Sequence, residues 1–157
     1  MGGLEIIQDC PFCEIVLGKL PAFLVLEDDH SLAFLDRRPL FPGHCLLIPK
    51  RHFSTLPDLP PDLVASLFQN ALRVARAVES GLGAEGSFVA INNRVSQSVP
   101  HLHIHIVPRR RKDGLKGFFW PRHAYRDEAE MRDVQGRLRV ALNLVYDSKN
   151  SSEVDPS

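Results

Sequence analysis

Apolar residues change period several times along this chain, and each change marks an expected element. Phe23 to Glu27, Leu32 to Asp36 and Cys45 to Pro49 are short apolar runs separated by turn-forming residues, which predicts three strands. Cys45 to Ile48 is continuously apolar and closed by Pro49, so it belongs centrally in a sheet, covered on both sides. From Pro60 to Gly81 the spacing becomes helical: Val64, Leu67, Phe68, Ala71, Leu72, Ala75 and Val78 form one stripe, with two prolines near the start and Gly81 past the end. Ser87 to Asn92 and Leu102 to Val107 supply two more strands. The polar turn Asn93 to Ser98 between them is too short for a parallel crossover, so that pair is antiparallel. Glu14 to Lys19 suits a short helix. A second long helix is expected within Ala124 to Tyr146, where Met131, Val134, Leu138, Ala141 and Val145 share a face, although Gly136 weakens it by about 1 kcal/mol relative to alanine. The polar stretch Ser148 to Ser157 is expected to fray. The pattern adds up to an α+β protein: an antiparallel sheet of about five strands, one long helix packed on it, and a C-terminal helix.

Composition narrows the class. With 157 residues, 44% hydrophobic and 24% charged, the chain suits one compact domain with a real core. Its 19 basic and 19 acidic residues cancel, so no global field argues for nucleic acid or an anionic membrane, and any anionic ligand must be held by local groups. The opening MGGLEIIQDC lacks the basic start and apolar run of a signal peptide, and no stretch approaches the roughly 20 apolar residues of a membrane span. Three cysteines, an odd number with two in one CxxC, fit a reducing compartment. A cytoplasmic protein is expected.

Candidate chemistry concentrates in SVPHLHIHIVPR, where His101, His103 and His105 alternate with Leu102, Ile104 and Ile106. On a strand, alternation puts the three imidazoles on one face and the aliphatic side chains on the other. A neutral imidazole whose Nδ1 proton is held by a backbone carbonyl presents Nε2 as a nucleophile, and phosphorus is a suitable target. Donors for the developing charge are at hand in a flanking imidazole and in Asn92, Gln97 and Ser98. The rival is a tri-histidine metal site, but three Nε2 atoms along one strand diverge, so at most two would share an ion.

The pair Cys10 and Cys13 reads as half a zinc site, a redox motif or chance. A thioredoxin-type motif follows a strand and opens a helix, and no strand clearly precedes this one. Zinc would need two more ligands. Without a second CxxC these must be histidines, His52 and an outer member of the row being the candidates. A third cluster, Phe34 to His52, contains PxxPGH, a constrained turn that sets His44 at a strand mouth with Asp36 nearby as a hydroxyl acceptor. Downstream, the four cations Arg109 to Lys112 read either as a solvated loop or as a clamp for extra phosphates, and Phe118 to Trp120 as a docking or dimer contact before a base platform.

HLHIHIV resembles the HxHxHxx signature of the histidine triad (HIT) superfamily of nucleotide hydrolases and transferases, and FLDRRPLFPGHCLLIPKRH resembles that family's upstream block. CPFC and the Asn and Gln before the triad match as well, so the resemblance covers about Cys10 to Arg109. It implies a HIT-like fold as a single domain over residues 10–147, with a triad core at 10–109, an extension at 110–147 and a flexible tail at 148–157. It also implies cleavage at the α-phosphate of a nucleotide conjugate, a phosphoramidate or a dinucleoside polyphosphate, through a nucleotidyl-histidine intermediate. In that scheme His103 is the nucleophile, His105 and His44 hold the phosphate or the network around the nucleophile, and Ser98 assists the leaving group. Gln97 and Asn92 contact phosphate, Asp36 takes the ribose hydroxyls and Phe34 lines the base pocket. In the zinc-bearing branch the metal is structural, and the matching ligands are Cys10, Cys13, His52 and His101. Most members resemble symmetric homodimers with one sheet continuous across the interface. The family's glycine-bearing NxGxxxGQ loop is replaced here by the shorter NNRVSQSVPH, which leaves the phosphate contact open between Asn92 and Asn93, while Gln97 and Ser98 keep their offsets from His101. The alternative from another class is a nucleotide-binding regulatory or sensor module with little turnover.

Overall fold

The structure, a computed structural model, describes residues 5–115 and 123–150. The chain divides into two compact units, Met1–Asp113 and Gly114–Ser157. The first contains helix α1 (Pro11–Val16), strands β1 (Leu24–Glu27), β2 (Ser31–Leu35) and β3 (Cys45–Pro49), helix α2 (Pro61–Leu82), and strands β4 (Gly86–Ala90) and β5 (Ile104–Arg109). The second contains helix α3 (Glu128–Asn150). The strands form one sheet in the order β1-β2-β3-β5-β4 with every pair antiparallel. The expected α+β architecture is the one observed.

Strand β3 is central and buried throughout, and its two faces meet different partners. Cys45 and Leu47 join Ala33, Ile104 and Ile106 against Leu67, Ala71, Val74 and Val78 of α2. Leu46 and Ile48 join Leu32 and Phe34 against Cys10, Phe12 and Cys13 of the N-terminal turn. The continuous apolar run is therefore explained by cover on both sides.

Several boundaries and faces differ from the sequence reading. Helix α1 starts at Pro11 and not at Glu14, because Cys10 caps it and Pro11, with no N–H to satisfy, takes the first helical position. Helix α2 runs through Gly81 and ends at Gly83, whose left-handed φ of 59° suits glycine. Its buried face is Leu67, Asn70, Ala71, Val74 and Val78, whereas Val64, Phe68 and Leu72 are exposed. At 100° per residue these three point roughly 60–140° away from Leu67, so one broad apolar stripe is really two, only one of which meets the sheet. Asn70 sits within the buried face and donates to Asp28 and Ser31, pinning α2 to the β1–β2 turn. Helix α3 starts at Glu128 and continues through Asn150, past the expected Tyr146. Residues 151–157, the rest of the predicted tail, lie outside the described residues, as does Phe118 to Trp120. Among the described residues no helix is long and apolar enough to cross a membrane.

The histidine row needs the correction that matters most. Strand β5 begins at Ile104, not Leu102, so only His105 of the three stands in the ladder, paired with Leu46 and Ala90. The main-chain N–H groups just upstream bond elsewhere: Leu102 to the Phe53 carbonyl at 2.6 Å and His101 to that of Val99 at 2.8 Å. Alternation survives the loss of pairing. Leu102, Ile104 and Ile106 all lie in the core that α2 covers.

Candidate functional site

His103 is buried, and its Nδ1 lies 2.7 Å from the His101 carbonyl oxygen. A carbonyl only accepts, so Nδ1 carries the hydrogen and Nε2 of the neutral ring keeps its lone pair. A backbone group fixes the tautomers of the other two rings as well. The Leu40 N–H donates to His44 Nδ1 at 3.1 Å, which leaves the proton of the neutral His44 ring on Nε2. His44 Nε2 lies 3.0 Å from His105 Nδ1 and donates to it, so His105 in turn carries its proton on Nε2. The His105 ring stands 4.9 Å from the His103 ring, centroid to centroid. Burial lowers the pKa of His44 and, with repulsion from His103 and His44, takes that of His105 down to about 4. Both rings are thus neutral near pH 7, as this proton arrangement requires. One unprotonated nitrogen and one N–H donor are presented by neighbouring imidazoles.

The turn that delivers His44 depends on Gly43, whose φ of 97° side-chain-bearing residues rarely adopt and where a Cβ would meet the Leu82 side chain. Asp36 is strapped to the same turn: its N–H donates to the His44 carbonyl at 2.9 Å, and its Oδ2 lies 3.7 Å from His44 Nδ1. Asp36 Oδ1 accepts from the Arg38 N–H at 2.8 Å, an Asx turn that orients the carboxylate. Asp36, His44, His103 and His105 come together.

The loop residues divide. Asn93 is committed to structure, its Oδ1 accepting from the Leu56 N–H at 2.8 Å, whereas Asn92 is half-buried at the end of β4. Gln97 accepts from the Arg94 N–H at 2.8 Å and donates to the Ser54 carbonyl at 2.6 Å, bracing the loop while one amide hydrogen is left over. Ser98 is exposed. Phe34 is buried to 4% exposure with its ring 5.4 Å from that of Phe12. Arg109, the last residue of β5, pairs with Asp113 at 2.6 Å; beyond it Arg110 holds the α2 corner by donating to the Leu82 and Gly83 carbonyls at 2.7 and 2.6 Å, and Arg111 lies 3.9 Å from Glu85. Two charge-assisted bonds at the C-terminal end of a helix favour the corner-brace role of Arg110 over a phosphate clamp.

On the other side of Phe12, Cys10, Cys13, His52 and His101 are all buried, with their ligand atoms within 4.8 Å of one another. Cys10 Sγ lies 3.5 Å from His101 Nδ1, and Cys13 Sγ lies 3.4 Å from His52 Nδ1 and 3.7 Å from His101 Nδ1. Around a tetrahedral ion with metal–sulfur and metal–nitrogen bonds of about 2.3 and 2.05 Å, sulfur and nitrogen ligands sit roughly 3.6 Å apart, so the four fit. The second nitrogen of His101 donates to the Pro49 carbonyl at 2.9 Å, the outer bond that orients a ligating imidazole. Burial drives the pKa of His101 down to about 4 and lowers that of His52, keeping both rings neutral as ligation requires. CxxC does open a helix here, yet its cysteines face two imidazoles in a closed pocket, which suits a metal better than thiol exchange. His101 turns its ring toward them, so the three histidines do not converge on one ion.

Three contributors to this arrangement escape a sequence reading: Phe12, the Leu40 N–H and the Pro49 carbonyl. The last two are main-chain groups without a side-chain signature. Phe12 had one, its place between the two cysteines of CPFC.

Comparison with known proteins identifies the family. The HIT domain family model matches residues 18–112. The chain is 38% identical over 110 residues to adenylylsulfatase HINT3 of Arabidopsis thaliana, a match covering 69% of this chain and 56% of that protein. It is 35% identical over 108 residues to adenosine 5'-monophosphoramidase HNT1 of Saccharomyces cerevisiae, covering 68% and 66%. Among solved structures, a zinc-bound histidine triad family protein from Mycobacterium smegmatis superposes with a TM-score of 0.65 at 42% identity, over 85% of this chain and 97% of that one. The chain thus spans under two thirds of the length of the two enzymes.

Proposed function

The chain belongs to the histidine triad (HIT) family, and from that premise we propose that it hydrolyses nucleoside phosphate derivatives by cleavage at the α-phosphate, through a transient nucleotide adduct on His103. The observation that carries this reading is the 2.7 Å bond from His103 Nδ1–H to the His101 carbonyl, which leaves Nε2 as a nucleophile. In the first step Nε2 forms a bond to the α-phosphorus while the bond from phosphorus to the leaving group breaks. The leaving group departs with that electron pair and takes up a proton from solvent, with Ser98 assisting. The charge gained by the His103 ring is spread into the Nδ1–H···O=C bond. His105, with its Nε2–H, donates to the phosphoryl oxygens, and His44 holds that tautomer. In the second step water attacks phosphorus and gives its proton to solvent, while the bond from His103 Nε2 to phosphorus breaks and its electron pair returns to Nε2, freeing the nucleoside monophosphate and His103.

Asp36 takes the ribose hydroxyls in this reading, and Asn92, with Asn93 committed elsewhere, makes the phosphate contact beside Gln97. Phe34 forms the floor of the base pocket, since its burial leaves little surface for direct contact. Cys10, Cys13, His52 and His101 hold zinc, which crosslinks the N-terminal turn to the end of β3 and to the triad segment. The protein is read as a single HIT domain over residues 10–147 and as a cytoplasmic homodimer, a role for which the exposed α2 stripe of Val64, Phe68 and Leu72 and the open edge of β4 are suited. The relatives named as an adenylylsulfatase and a monophosphoramidase support adenylyl conjugates as substrates.

The test is trapping. Incubation with adenosine 5'-phosphoramidate or a dinucleoside polyphosphate, followed by a rapid quench, should yield an acid-labile nucleotide adduct on His103. Tight binding without adduct or turnover from either substrate class would overturn the enzyme reading in favour of a sensor module.

A further inference from the structure

We infer that Phe12 is a positioning residue: lodged between the two cysteines of the clip, its ring holds the His103 imidazole in its attacking pose, so that metal loading of the clip is transmitted to the nucleophile. The inference rests on the reaction proposed above and adds to it a mechanical link between the two histidine sites. Cys10 caps α1 and Pro11 opens it, so Cys10, Phe12 and Cys13 share a single helical turn. With both cysteines held, the residue between them has nowhere to go. Its ring stands 5.3 Å from the His103 ring at 85°, 5.8 Å from the His101 ring at 66°, and 5.4 Å from Phe34 at 69°, edge contacts on three sides.

The need for such a brace follows from how His103 is held. Its bond to the His101 carbonyl fixes one ring atom, and an imidazole tethered at Nδ1 alone still tilts about that bond. His105 limits the tilt from one side and Phe12 from another. His101 belongs to both sites, giving its ring to the clip and its carbonyl to His103. In-line attack tolerates little error, and a displacement of about 1 Å costs on the order of a hundredfold in rate. Phe12 is itself only 7% exposed, too little surface to bind a base, so its loss should be felt in turnover and not in binding.

The experiment compares metal-loaded wild type with Phe12→Leu and Phe12→Met, using Co2+ as the metal probe, adenosine 5'-phosphoramidate as substrate and AMP as ligand. Both variants should keep about one tetrahedral Co2+ per chain and bind AMP within about twofold of wild type, while kcat falls about ten- to a hundredfold. The His103 ring nitrogen signals in NMR should shift in both. Unchanged kcat, or a rise in KM alone, would overturn the inference, the latter by showing that the ring meets the nucleotide. Loss of Co2+ from both variants would also overturn it, by making the ring part of the clip. Should neither variant fold, the wild type with and without metal decides: His103 signals that ignore loading refute the link. A wild type with no turnover at all would strike at the proposed reaction, and the NMR comparison would still decide the link.

Discussion

His101→Ala and His103→Ala should fail in opposite ways. His101 is fully buried; its ring donates to the Pro49 carbonyl, faces both cysteines, and packs on His52 at 4.7 Å and on Phe12. Truncation leaves that carbonyl unpaired, about 1–3 kcal/mol, and opens a ring-sized void, about 2–3 kcal/mol, so roughly 3–6 kcal/mol is lost before the metal is counted. At about 2–4 °C per kcal/mol for a chain of this size, the melting temperature should fall by roughly 6–24 °C. Metal stoichiometry should drop with it. The main-chain carbonyl that orients His103 survives the substitution, so residual turnover is expected wherever the variant is folded. His103→Ala removes a ring that has no part in the clip. Metal content should stay at the wild-type level, the loss of stability should be about half as large, and turnover should fall by about 10⁴-fold or more, as for loss of a nucleophile. Differential scanning calorimetry, metal analysis and phosphoramidate turnover on the two variants read out all three quantities. An alanine at 103 that loses the metal, or one at 101 that keeps both metal and stability, would refute the division of the row.

Acid should destabilise the fold through His105 and His44. The pKa of His105 is about 4 in the folded chain against about 6.5 unfolded, and His44 is shifted the same way, so between these values the unfolded chain binds protons that the folded one refuses. Stability is complete above about pH 6.5 and declines toward pH 4, by about 1–2 kcal/mol from His105 after allowance for solvent, with His44 adding in the same direction; a melting temperature that is flat or rising from pH 7.5 to 5 would contradict this. Asn70→Ala should cost about 2–3 kcal/mol without affecting kcat, since it strips donors from Ser31 and from Asp28. Burial alone would raise the Asp28 pKa, and it is hydrogen bonds from Asn70, His30 and Ser31 that hold it at about 2; a pKa for Asp28 that does not rise in the variant would count against the network. Arg110→Ala should lower stability by about 0.5–1 kcal/mol and leave KM for a dinucleoside polyphosphate within about twofold, whereas a tenfold rise in KM would restore the phosphate clamp.

What was legible in the sequence was the part that periodicity encodes. Five strands, the antiparallel pairing of the last two and the double cover of Cys45 to Pro49 all follow from which positions are apolar. Helix faces were read less well, because Val64, Phe68 and Leu72 are as apolar as the residues that meet the sheet, and hydrophobicity alone does not separate a core stripe from a stripe offered to a partner. Asn70 failed in the opposite sense, as a polar residue inside the buried arc whose partners lie 39 and 42 positions away in the chain. Ligand chemistry brought Cys10, Cys13, His52 and an outer histidine of the row into view as candidates, and family resemblance singled out His101 as that histidine. Spacing alone leaves a CxxC open between metal, redox and chance, and the structure adds what spacing lacks by bringing His52 and His101 to it from two other segments.

Main-chain groups explain why alternate histidines in one short run do different work. Three identical side chains two residues apart would bind alike on a regular strand, and here their partners differ because their neighbourhoods are set by backbone atoms. The Pro49 carbonyl holds Nε2 of His101 and leaves Nδ1 toward the cysteines; the His101 carbonyl holds Nδ1 of His103 and leaves Nε2 free of that bond; the Leu40 N–H, acting through His44, leaves His105 with a proton on Nε2. Each neutral ring is thereby confined to one tautomer, and the three tautomers suit the three roles of the proposed function: a ligand, a nucleophile and a donor. The strand boundary is part of the same device. Had Leu102 and His103 stood in the ladder, the Phe53 carbonyl would lose the N–H that ties the triad segment to the segment carrying His52. The late start of β5 is therefore what lets His101 reach the clip while His103, two residues on, faces the catalytic cluster.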